Sequence, residues 1–260
     1  KASDERSGFE TESIDTVGAR NLGGSDCCVG RFGRFKKKKE RQRSISIGRC
    51  KMEIIRQPLT NRVVHWGIAL SCFGLIVTGI LQMPVAKRYG LTSLGEWMGN
   101  YFTTLSMHYF FGLIFVFFCC FHVFYHAINK EFDIVPKKGD VKGSILIFKA
   151  ILSGEKEPPS AKYLPEQRLA WAAFAVTFLI LIVTGLLKTY KNLPGVQLYD
   201  PWTFYIAQFH NLGFVLCLLL FVGHMSAFVI KANRNLLPAM FSGKVDREYA
   251  LERHSLWSPE

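Results

Sequence analysis

A helix that crosses a bilayer needs about 20 mostly apolar residues, because in hydrocarbon every backbone N–H and C=O must find its partner within the segment itself. Four stretches of this sequence meet that requirement: residues 63–82, 104–128, 169–187 and 204–230. The chain is 49% hydrophobic and yet carries a formal charge of +12. Its apolar and charged residues are segregated into blocks, which excludes an ordinary soluble domain. The expected fold class is all-α, an integral membrane four-helix bundle. The first fifty residues hold no apolar core of signal-peptide length, so the first helix is expected to insert and to remain in the membrane.

Charge sets the expected orientation. Of 32 Lys and Arg, fifteen precede the first span, eight lie between the second and third, and five follow the fourth. The two other connections hold only Lys87, Arg88, Lys188 and Lys191. The positive-inside rule therefore puts both termini and the 129–168 connection in the cytoplasm, in an inner (cytoplasmic) membrane. The short loops with Trp97, Tyr101, Tyr199 and Trp202 face outward, their aromatics at interface depth. The run Lys36-Lys37-Lys38-Lys39 could be read as a nucleic-acid patch. Beside a membrane span, orientation and attraction to lipid head groups explain it better, and no nucleic acid is expected as a partner. Residues 1–51 read as a basic, low-order arm without helical or strand period, and 52–260 as the membrane domain. Within the cytoplasmic connection, residues 143–154 have apolar side chains at helical spacing between glycines, the pattern of a short surface helix.

The chain contains an internal repeat. Leu75-Ile-Val-Thr-Gly-Ile-Leu81 recurs as Leu181-Ile-Val-Thr-Gly-Leu-Leu187, and each is followed by a span bearing two histidines fourteen positions apart, His108 with His122 and His210 with His224. Two hairpins of the same direction imply a duplication around a pseudo-two-fold axis. Fourteen residues return to within about 40° of the same helix face and climb about 21 Å, so each of these spans offers one face at two depths. That is the geometry for two b-type haems, one near each membrane surface. Neutral imidazole suits haem iron, and so polar a side chain deep in lipid needs a partner. Interhelical hydrogen bonding is the simpler role for any one histidine; matched depths across several spans favour haem. Depth pairs His108 with His210 near the outer surface. For the inner site His224 can be opposed by His65 or by His122. Covalent haem is excluded by the absence of a Cys-x-x-Cys-His motif. Cys72, Cys119, Cys120 and Cys217 read as small core residues, and Cys27, Cys28 and Cys50 as reduced cytoplasmic thiols.

Over residues 53–258 the sequence resembles the cytochrome b (gamma) subunit of membrane-bound formate dehydrogenase and, more loosely, the cytochromes b of nickel-iron hydrogenase and thiosulfate reductase. The likeness rests on Val64-His65-Trp66, Met107-His108-Tyr-Phe-Phe-Gly112, the loop from Lys162-Tyr163 to Gln167, His210-x13-His224, Gly243-Lys244-Val245, His254 and Trp257. The resemblance implies two haem b groups, the outer held by His108 and His210 and the inner by His65 and His224, with His122 a core residue. It also implies an iron–sulfur subunit and a catalytic subunit as partners, and menaquinone or ubiquinone as electron acceptor. The quinone is expected beside the inner haem at the loop entering the third span. Tyr163, Glu166 and Gln167 are the candidate contacts there, since this chain has Leu164 where the family carries Asn. The alternative for those residues is helix capping, because Pro165 followed by Glu166 makes a good helix start. The alternative functions are a hydrogenase or other quinone-linked cytochrome b and, in a different class, a haem-free anchor or transporter.

Overall fold

The computed structural model describes residues 52–91, 93 and 100–258. The basic arm 1–51, its three cysteines and Trp97 lie outside the described residues. The described part of the chain begins with a short strand β1 (Glu53–Ile55) and enters α1 (Leu59–Gln82), followed by a one-turn α2 (Pro84–Arg88). Next come α3 (Tyr101–Asn129), the surface helix α4 (Asp140–Ser153), α5 (Pro165–Lys191) and α6 (Asp200–Ser226), the last running on as a 3-10 turn to Val229. A short α7 (Lys231–Arg234), strand β2 (Lys244–Asp246) and α8 (Arg247–Arg253) close the chain. Among the described residues four helices, α1, α3, α5 and α6, are long and apolar enough to span a membrane.

α1 and α3 each run about one turn beyond their apolar stretches and α5 about two, and at α3 a polar side chain supplies the cap. Asn100 accepts from the Thr103 N–H at 3.1 Å to start α3. Lys130 in left-handed conformation ends it (φ 56°), and Gly154 ends α4 in the same way (φ 71°). Packing is strongest within hairpins, α1 on α3 and α5 on α6, with α4 laid against α5. Small residues allow the first of these approaches: a Cβ at Gly67 would come within 2.5 Å of the Phe118 ring, and one at Gly74 within 2.7 Å of Phe111. The two hairpins touch each other far more sparingly, so the axis between them is lined mainly by side chains reaching across.

One end of the bundle is closed by a cap not expected from the sequence. β1 pairs antiparallel with β2, Ile54 opposite Val245, which brings both ends of the described chain to the same end of the bundle, as an even number of spans requires. Ala239, Val245 and Ala250 form a small core there with Ile54, Leu236 and Trp257. Gly243 is held at φ 82°, where its carbonyl accepts from the N–H groups of Arg56 and Gln57; any Cβ would stand 2.6 Å from the Gln57 oxygen.

Candidate functional site

Among the side chains that face one another along the bundle axis are two pairs of histidines, in two layers. Because α1 and α5 run away from the capped end while α3 and α6 return to it, His108 and His210 meet near the far end. His65 and His224 meet near the capped end. The ring centres stand 6.5 Å apart in the far layer and 6.4 Å apart in the near one.

Those separations can be checked against a simple expectation. A metal–imidazole bond is about 2.0–2.1 Å, and the ring centre lies about 1.1 Å behind the nitrogen, so two rings ligating one metal from opposite sides stand about 6.3 Å apart. Both layers fit a metal bound between them. Among the described residues no three His, Cys, Asp or Glu side chains cluster as a metal site. Paired imidazoles alone suit a metal that brings its remaining ligands with it, as iron does in a porphyrin.

In the far layer the ring orientation is fixed by threonines of the repeated motif. The Thr78 hydroxyl lies 2.7 Å from the Gly74 carbonyl one turn back and 2.8 Å from His108 Nδ1. Thr184 does the same with the Ile180 carbonyl at 2.6 Å and His210 Nδ1 at 2.9 Å. A hydroxyl has one proton; donated to its own helix, it leaves the oxygen to accept the Nδ1–H, and Nε2 of each imidazole then carries the free lone pair that a metal requires. The next residue in each motif, Gly79 or Gly185, lies under the imidazole, where a Cβ would sit 3.5 Å from Cε1. The repeat had marked these threonines, but sequence reasoning used them only as evidence of duplication.

The near layer has no such support on α1, since the buried Nδ1 of His65 finds no partner among the described residues. His65 packs edge-on against Trp66, and Phe174 and Phe228 pack against His224. His122, the other sequence candidate, is placed elsewhere. Its Nε2 accepts from the Trp171 indole N–H at 3.3 Å, and its ring contacts His126 at 4.5 Å. Between the two layers lie the Cys72 and Cys217 thiols, 3.7 Å apart, and the rings of Phe115 and Phe178, 4.9 Å apart.

Residues 56–243 match the family model described as prokaryotic cytochrome b561. The chain belongs to that family. Its members are membrane b-type cytochromes that bind haem b and carry electrons. No curated protein matches the sequence.

In this cytochrome the loop before α5 sits under the cap, at the near-layer end. Tyr163 accepts from Gln57 Nε2 at 3.3 Å and lies beneath the Arg56 guanidinium, while Arg56 also donates to the Lys162 carbonyl. Burial pushes the Tyr163 hydroxyl up from its ordinary value, so it stays a neutral donor. Gln167 is engaged as a cap: its side-chain oxygen accepts from the Leu164 N–H at 3.1 Å, the helix-start role weighed above for this loop. Glu166 keeps one buried carboxyl oxygen without a partner among the described residues. His254 is fully buried in the cap and hydrogen-bonded to the Ala161 carbonyl at 2.8 Å. Desolvation, with the Arg56 and Arg253 charges, lowers it to about 4, so it stays neutral.

Proposed function

We propose that this cytochrome is the di-haem b subunit of a quinone-linked respiratory complex, with His108 and His210 ligating one haem and His65 and His224 the other. The observation that carries the reading is the two facing imidazole pairs at 6.5 and 6.4 Å, one near each end of the spans. Haem, when bound, supplies one-electron chemistry; the residues set its depth, orientation and surroundings. Thr78 and Thr184 keep the ligating nitrogens of the far pair unprotonated. The basic residues of the capped end support placing it in the cytoplasm, with the His108–His210 pair toward the opposite surface.

The quinone is then reduced at the capped end, beside His65 and His224. Tyr163 is the neutral donor offered to a quinone oxygen, and the Glu166 carboxyl, one oxygen of which has no partner among the described residues, is the group able to pass on a proton from cytoplasmic water. Gln167 acts mainly by shaping the helix start. The motifs shared with the formate dehydrogenase gamma subunit favour an iron–sulfur subunit as electron donor and formate dehydrogenase as the catalytic partner.

Haem quantification in purified single variants tests the ligand set: each of His65→Ala, His108→Ala, His210→Ala and His224→Ala should lose one haem and keep the other. Retention of both in any of the four contradicts the assignment of that residue. Mass identification of co-purifying subunits tests the partner, with a formate dehydrogenase expected and a nickel-iron hydrogenase contradicting it.

A further inference from the structure

Aligning the two Leu-Ile-Val-Thr-Gly segments sets Thr78 against Thr184, Cys72 against Phe178 and His65 against Trp171; aligning His108 with His210 sets Phe115 against Cys217 and His122 against His224. Each contact along the axis then has a counterpart. The Thr78–His108 bond of 2.8 Å answers the Thr184–His210 bond of 2.9 Å. The Cys72–Cys217 pair answers Phe178–Phe115. The His65–His224 pair, 6.4 Å between ring centres and 45° between planes, answers Trp171–His122 at 6.3 Å and 48°. The axis is therefore flanked by two repeat-related columns. One is imidazole pair over thiol pair; the other is indole–imidazole over two phenyl rings.

On the reading above, the first column holds the inner haem. We propose that Trp171 is the residue that determines which of the two related positions takes it, and that His122 is a ligand position disarmed by this tryptophan. Two features of the indole act together. It stands where the opposing imidazole would be, and its N–H occupies the His122 Nε2 lone pair that iron would need. Phe115 and Phe178 fill the adjoining layer on this side, where Cys72 and Cys217 occupy less volume on the other. A duplicated hairpin that once offered two equivalent inner positions is thereby reduced to one.

The experiment exchanges the two repeat-related residues in the full chain, purified in detergent with its bound haem. Haem per chain is read from the alkaline pyridine spectrum and ligation from low-temperature EPR, and the outer-haem signal reports the fold. His65→Trp alone should lower haem from about two per chain to about one; no loss would remove the His65 ligand assignment and this proposal with it. Combining it with Trp171→His should restore the second haem. Adding His122→Ala to that exchange should remove it again, whereas adding His224→Ala should not. One haem in the exchange variant with an intact outer-haem signal would overturn the role of Trp171 while leaving the proposed function standing. Trp171→His alone, which keeps His65 and decides the matter if the exchange does not fold, should add a second low-spin inner signal; an unchanged EPR spectrum would overturn the proposal.

Discussion

At the far end of the bundle the two hairpins contribute alike: one histidine, one threonine and one glycine each, with bond lengths that agree to 0.1 Å. At the capped end they do not. His65 of the first hairpin faces His224 of the second, while the residue matching His65 is Trp171. The matching arginines diverge as well. Arg62 donates to the Phe241 carbonyl of the cap, whereas Arg168 forms a buried two-point ion pair with Asp140 of α4. Duplication thus supplied a symmetric frame, and the capped end departs from it where a loop, a surface helix and the proposed quinone contacts meet. Symmetry suffices to hold a cofactor on the axis; a one-sided reaction with a substrate entering from one surface calls for different residues on the two sides.

The largest effect should come from breaking the symmetric layer. His108→Ala or His210→Ala should each abolish the outer haem, and the two losses should be equal because the two surroundings are equal; pyridine haemochrome spectra check this. Markedly unequal retention would show that the far layer is not symmetric in function.

The next effect tests the departure at the capped end. Asp140→Asn leaves the Arg168 guanidinium buried without its carboxylate, which costs about 3 kcal/mol, and should lower the melting temperature and expose α4 to protease. Arg62→Gln, which leaves no buried charge behind, should do much less. The Arg168 hydrogen bonds hold the Asp140 carboxyl below its ordinary range. Its stabilising contribution is therefore fully present above the unfolded-state value of about 3.9 and fades as pH falls through the lower folded value, so melting between pH 5 and 8 should not register it.

Smaller still are the threonines. Thr78→Val or Thr184→Val removes the acceptor for one Nδ1–H, which should weaken haem retention by about 10–100-fold and raise the outer haem's potential, since a less basic imidazole favours ferric iron less. Thr→Ser should restore both, and the inner haem's potential should stay put in a redox titration. Smallest are the loop variants. Glu166→Gln should slow reoxidation of the haems by quinone in stopped flow without changing haem content, and Gln167→Ala should act mainly through a looser start to α5.

Much of this was legible in the sequence because lipid leaves few choices: apolar length gave the spans and charge gave the expected sidedness. The histidine spacing gave the two layers, since an α-helix returns to the same face after fourteen residues. The choice between His65 and His122 against His224 was not legible from depth, as both lie near the same end of the spans; the structure sets His65 against His224 and His122 against Trp171. Thr78 and Thr184 stood in the repeat but needed the observed bond to acquire a role. Trp171 needed the repeat to be extended upstream of its identical core. The β1–β2 cap escaped notice because three-residue strands carry no period, and for Gln167 the sequence left quinone contact and helix capping open, because a capping side chain and a ligand-binding one have the same composition.

The proposed inner site joins one histidine from each hairpin, His65 with His224, and excludes His122. Redox-titrated difference spectra of His65→Ala and His122→Ala test it directly. His65→Ala should retain only the outer haem, while His122→Ala should retain both with at most a modest shift in the inner potential. Loss of a haem in His122→Ala, with both retained in His65→Ala, would contradict it.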